Sequence, residues 1–153
     1  MKKVSIEIAK LLQKVGFHEK TNSFYLAKIN GDYELYEEGE YRDWNDEWEK
    51  AVYNVVMSAP TLSYVLDWLR ETKNMKIWME PHRFIERNEI ETIEYFFPLW
   101  HGIWWVSENE IYKNSSSTYN NSLEAIILFI LKKLAENNNE TKQNIEGTNL
   151  KQI

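Results

Sequence analysis

Leu123, Ile126, Ile127, Ile130, Leu131 and Leu134 recur at i, i+3, i+4, i+7, i+8 and i+11. Only a helix gathers that spacing onto one face, and a stripe this apolar has to be buried. Asn121 with Glu124 three residues on resembles a capping box at the start of this helix, and Lys132 and Lys133 suit the dipole near its end. Two shorter stripes repeat the pattern. Ile8, Leu11, Leu12 and Val15 form one, with Ser5 placed to cap it and Gly16 and Phe17 to close it. Leu62, Val65, Leu66 and Leu69 form the other, opened by Pro60-Thr61 and ending near Asn74.

Between the stripes the period changes to two. Phe24–Ile29 and Tyr33–Tyr36 flank Asn30-Gly31, a tight-turn pair, and predict a hairpin. Met75 to Glu80 alternates, with Met75, Ile77 and Met79 on one face and Lys76, Trp78 and Glu80 on the other. Thr92 to Trp100 and Ile103 to Val106 are rich in aromatic and β-branched residues and read as a strand and a short return strand, with Gly102 marking a turn between them and Pro98 an edge or a bulge. Residues 51–57 fit either period; their β-branched content favours a strand. Residues 39–50 read as a solvated loop, 82–94 as charged irregular chain, and Asn114–Thr118 as a loop. The pattern predicts an α+β fold, a mainly antiparallel sheet of four to six strands with about three helices packed on it.

The 153 residues amount to one domain's worth of chain. That domain is expected over 1–136. From Asn137 the sequence loses apolar mass and periodicity, so 137–153 is expected to be a disordered tail. With no cysteine, disulfide scaffolds, thiol catalysis and cysteine metal sites are excluded. No apolar run is long enough to span a bilayer, and Glu7 and Lys10 interrupt any signal-peptide core. A cytoplasmic location is expected.

The net charge of −6 conceals an uneven distribution. Nine acids and one base, Arg42, lie between Asp32 and Glu49, a segment of −8, which leaves +2 for the rest. Trp44 and Trp48 sit inside that segment. Tryptophans flanked by acids suit an interface with an aromatic anchor and a charged rim. Trp44, Trp48, Asp43, Asp46 and Glu47 are therefore candidate partner-binding residues. Trp104 joins them, because Trp104 and Trp105 cannot both point to one face of a sheet.

Ser58-Ala59-Pro60-Thr61-Leu62 through Trp68-Leu69-Arg70-Glu71 resembles the "APT…WLRE" segment of short proteins from bacteriophages and prophages of gut bacteria. Ile8-Ala9-Lys10-Leu11-Leu12 with Gly16-Phe17 is similar to how those proteins begin. Thr118-Tyr119 with Leu123-Glu124-Ala125 resembles their closing helix. The likeness runs in order through 4–136 but rests on these three segments. It implies a phage or prophage setting and no catalytic residue.

Chemistry signatures are sparse. Glycine-rich phosphate loops and the Gly-x-Ser-x-Gly elbow are absent. Asp67 and Glu71 share a helix face with Arg70 between them, the mark of solvated charges. No His-x-x-x-His pair exists, but His82 and His101 flank neighbouring strands and can approach each other near Glu80 or Glu94. The expectation is a non-enzymatic phage-type protein, monomer or homodimer, that binds another protein through the acidic tryptophan loop and needs no cofactor or metal. Two alternatives stand beside it. One is an acidic DNA mimic that occupies the basic site of a nucleic-acid-binding protein. The other is an enzyme or metal protein using His82 and His101. Direct nucleic-acid binding is disfavoured, since it needs a basic groove.

Overall fold

The computed structural model describes residues 1–37, 40–46, 55–87, 92–106 and 109–149. Among the described residues three helices and six strands follow one another: α1 (Ile6–Lys14), β1 (Phe24–Ala27), β2 (Tyr33–Tyr36), β3 (Val56–Ser58), α2 (Leu62–Thr72), β4 (Lys76–Arg87), β5 (Thr92–Val106), β6 (Asn109–Ser116) and α3 (Tyr119–Asn149). The α+β class and the three helices agree with the periodicity. The single sheet does not. The strands form two antiparallel three-stranded sheets, ordered β2-β1-β3 and β4-β5-β6. The long β4 and β5 are next-door neighbours that pair with each other, and β6 turns straight back onto β5, so this sheet closes locally. Length suggests one domain; the chain groups into two compact units. One comprises Lys3–Thr61 with α3 from Leu128 onward, and the other Met1–Lys2 with Leu62–Ile127.

In the first unit Ser5 caps α1, its side chain accepting from the Ile8 N–H. The helix closes as its sequence predicts: Gly16 has φ +79° and the Phe17 N–H reaches back to the Leu12 carbonyl at 3.0 Å. Ile8, Leu12 and Phe17 are fully buried, as are Val56 and Met57. α1 lies against β3, where Gln13 donates to the Val56 carbonyl at 3.1 Å. The β1–β2 hairpin forms, with a different turn from the one expected. Lys28 pairs with Asp32, and Gly31, the only loop residue with positive φ (+86°), donates to the Lys28 carbonyl. This is a three-residue loop closed by a left-handed glycine, so Asn30 needs no positive φ. β3 answers the ambiguity at 51–57 in favour of strand from Val56; 51–54 lie outside the described residues.

In the second unit the alternation of Met75–Glu80 holds: Ile77 is buried, while Lys76, Trp78 and Glu80 are exposed. α2 buries Leu62, Val65, Leu66, Trp68 and Leu69, and Arg70 donates to the Ile77 carbonyl of β4. Asp67, Arg70 and Glu71 are solvated, with Arg70 and Asp67 3.8 Å apart. Of 82–94, expected to be irregular, 82–87 and 92–94 continue β4 and β5 as a ribbon and 88–91 lie outside the described residues; the turn expected at Gly102 is not formed, since β5 pairs through it on both sides. Backbone pairing takes up the amides that face across the ribbon whatever the charge of the side chains, and the register sets Phe84 opposite Tyr95.

The back of this sheet is covered by the start of α3. Trp100 meets Tyr119 edge-to-face at 5.1 Å. Asn114 accepts from the Gly102 N–H and the Ser122 hydroxyl, and donates to the Ser122 carbonyl. A Cβ at Gly102 would lie 2.9 Å from Asn114 Oδ1 and 3.2 Å from Ile126, so glycine is what admits the helix. Thr118 caps α3, its hydroxyl accepting from the Asn121 N–H; the expected Asn121 cap falls one turn inside the helix. At the far end 137–149 continue α3, where a disordered tail was expected. Extending a nucleated helix costs little, and no proline or glycine interrupts it before Gly147.

Candidate functional site

The acidic segment does not present Trp44. Trp44 is 4% exposed. Its ring stacks on Phe24 at 4.0 Å and its indole N–H donates to the Thr21 carbonyl at 2.9 Å. Asn45, also buried, donates to the Phe17 carbonyl and accepts from the Ser58 N–H. Asp43 shapes the turn that makes this possible: one carboxylate oxygen accepts from the Asn45 N–H and the other meets His18 Nδ1 at 3.0 Å. Thr21 and Arg42 join through a two-way backbone bridge. The solvated loop expected at 39–50 is thus, over 42–45, a docked segment held by the fold, while Tyr41 and Asp46 stay exposed. Of the expected binding residues here, Trp44 and Asp43 are architectural and Asp46 is exposed, while Glu47 and Trp48 lie outside the described residues. The sequence misled because burial of Trp44 depends on Phe24 and Thr21, about twenty residues away.

Trp104 also faces inward. It pairs with Ile77 and Tyr112 on the α3-covered side and is half-buried. Trp105 takes the opposite face, as strand alternation requires. That outer face carries Trp78, Glu80 and His82 from β4, His101, Ile103 and Trp105 from β5, and Lys113 and Ser115 from β6. The register sets Glu80 and Ser115 on either side of His101, and Trp78 and Lys113 on either side of Ile103.

A bulge interrupts this face. Between the pairs Pro81–Trp100 and Arg83–Phe96, His82 alone on β4 opposes Phe97, Pro98 and Leu99 on β5. Pro98 lies beyond the reach of β6, which begins its pairing at Trp100, so its missing N–H breaks no ladder on that side. Bulges re-aim side chains. Here His82 Nδ1 comes to 2.6 Å from His101 Nε2, with the rings 4.8 Å apart and inclined at 69°. On its other side, His101 Nδ1 lies 2.8 Å from Ser115 Oγ. His101 is 8% exposed, and Ser115 is exposed.

One proton occupies the gap between the two imidazoles, which leaves two arrangements. In one, His101 Nε2–H donates to His82 and His101 Nδ1 is free to accept the Ser115 hydroxyl proton. In the other, His82 donates and His101 Nδ1–H points at the serine. The first arrangement is that of a hydroxyl, a base and a group that orients the base. The pair is not built like two ligands of one ion: tetrahedral zinc holds its nitrogens roughly 3.3 Å apart, given Zn–N of about 2.0–2.1 Å. Among the described residues no three His, Asp or Glu side chains gather to hold a metal.

Two open depressions flank the chain of bonds. One, of ≈ 420 Å³, is lined by Glu80, Pro81, His82, His101 and Lys113. The other, of ≈ 520 Å³, is lined by Trp78, Glu80, Ile103, Trp105 and Lys113. They share Glu80 and Lys113, so a polar hollow and an aromatic hollow adjoin on one sheet face. Trp78, 61% exposed, is the tryptophan this face offers most fully to solvent. The approach of His82 to His101 was legible from their places beside neighbouring strands. Ser115 was not, because its serine-rich surroundings suggest a loop and only the register sets it across from His101. Comparison with protein-family models, curated proteins and solved structures finds no match to this chain.

Proposed function

We propose that this chain acts by binding another protein, with the outer face of the β4–β6 sheet as its contact surface. One observation carries the reading: the exposed Trp78 stands beside Trp105 over an aromatic hollow whose rim bears one negative and one positive side chain, Glu80 and Lys113. Burying an indole of this size on contact is worth about 2–3 kcal/mol, and tryptophan with a charged rim is a frequent arrangement at energetic centres of interfaces. The complementary partner inserts an aromatic or aliphatic side chain between the tryptophans and sets charges of both signs against Glu80 and Lys113. The likeness of Ser58–Glu71 to phage proteins makes bacterial-host and phage proteins the first to try. The test is capture from such extracts, then titration of the captured protein against Trp78→Ala. We expect affinity to fall by roughly 30-fold, about 2 kcal/mol, with the melting temperature unchanged. Undiminished affinity would reject this surface.

A second reading, the DNA mimic, rests on Asp32, Glu34, Glu37, Glu40 and Asp46, all exposed on the other unit. It expects capture of a basic partner that fades by about 0.5 M salt, where charges are screened within a few ångströms. Capture that survives that salt, and fails in Trp78→Ala, would decide for the sheet face.

A further inference from the structure

We propose that Ser115 is an activated nucleophile, with His101 as its base and His82 as the residue that positions the base, and that this face takes small aryl or acyl esters. The proposal uses the same sheet face as the binding reading but not the existence of a protein partner. Three observations support it. The Ser115 Oγ, His101 and His82 atoms form a continuous hydrogen-bonded chain at 2.8 and 2.6 Å. The serine end is exposed, whereas the base is 8% exposed and held between its two partners, so a substrate reaches the hydroxyl while the imidazole keeps its orientation. Lys113, two residues before Ser115 on the same face of β6, brings a cation next to an aromatic hollow lined by Trp78, Ile103 and Trp105.

The chemistry follows from those positions. With His101 Nε2–H donating to His82 Nδ1, His101 Nδ1 accepts the Ser115 proton as Oγ attacks the ester carbonyl carbon. The imidazolium that forms keeps its Nε2–H on His82, and that bond strengthens once its donor is charged. Negative charge gathers on the carbonyl oxygen, on the face that also carries the Lys113 ammonium. The carbon–oxygen bond to the leaving alkoxide or phenoxide then breaks, and that oxygen takes the proton from His101. Water attacks the acyl-serine, gives its proton to His101 Nδ1, and the proton returns to Ser115 as the acid leaves. No metal, oxidant or further reactant enters the balance. The aromatic hollow holds the aryl or acyl group.

The full-length protein is treated with diisopropyl fluorophosphate and its mass and labelled peptide are read. Oγ–P forms, P–F breaks, fluoride leaves, and the serine proton passes through His101 to solvent. We expect one adduct, on Ser115, absent from Ser115→Ala and retained by Ser117→Ala, the exposed neighbour that serves as the matched control. His82 is tested by two variants. His82→Asn keeps an acceptor near the Nδ1 position; His82→Leu removes it. Labelling should slow on the order of 10²-fold in the leucine variant and recover substantially in the asparagine variant, a difference that loss of packing alone would not produce. Hydrolysis of p-nitrophenyl acetate should follow the same order. Absence of an adduct, or an adduct shared equally between Ser115 and Ser117, would overturn the proposal. Equal labelling rates in His82→Leu and the unaltered protein would overturn the role of His82. Circular dichroism establishes that each variant is folded, and none of these readouts depends on protein capture.

Discussion

The Trp44 turn and the Trp78 face use the same residue type in opposite ways. Both set a tryptophan among charged neighbours. In the turn, the indole N–H is spent on Thr21, the ring on Phe24, and the adjoining Asn45 on two backbone groups, so the tryptophan holds the chain in place. On the sheet, strand alternation holds Trp78 outward while Ile77 beside it is buried. Flanking charge therefore does not report exposure. What decides is whether a non-local partner accepts the indole N–H and covers the ring.

The contrast can be broken or sharpened in order of effect. Asn45→Ala should cost the most among polar changes, about 3 kcal/mol by urea unfolding, because it orphans the buried Phe17 carbonyl and Ser58 N–H together. A cost below 1 kcal/mol would mean that the turn is loosely docked. Gly102→Ala probes the backing of the sheet face. Its new Cβ would press on Asn114 and Ile126, at a cost of about 1–3 kcal/mol in the same measurement. A neutral result would show that α3 stands off the sheet. Truncation after Glu136 should be nearly free, below about 1 kcal/mol, since Glu136 to Asn139 are exposed. Far-ultraviolet circular dichroism should nonetheless lose helical signal, because residues 137–149 continue α3. An unchanged spectrum would favour a disordered tail.

Local regularities were readable from the chain. The stripes of α1, α2 and the first half of α3, the β1–β2 hairpin, the alternation at Met75–Glu80 and the bulge at Pro98 all follow from period or from proline's missing donor. What escaped were features set by distant pairing. The division into two sheets depends on which strands meet, and the ribbon of 82–87 with 92–94 is held by ladder bonds that leave no apolar pattern. The site divides the same way. His82 and His101 were visible as a pair of strand residues, whereas Ser115 entered only through the β5–β6 register and Trp44 left only through Phe24 and Thr21.

Thermal unfolding of Trp44→Ala and Trp78→Ala side by side tests the central contrast most directly. Removing the buried, stacked Trp44 should cost about 3–5 kcal/mol, a fall of roughly 10 °C or more, whereas Trp78→Ala should move the midpoint by less than about 2 °C. A Trp44 variant as stable as the unaltered protein, or a Trp78 variant that loses 10 °C, would contradict the account.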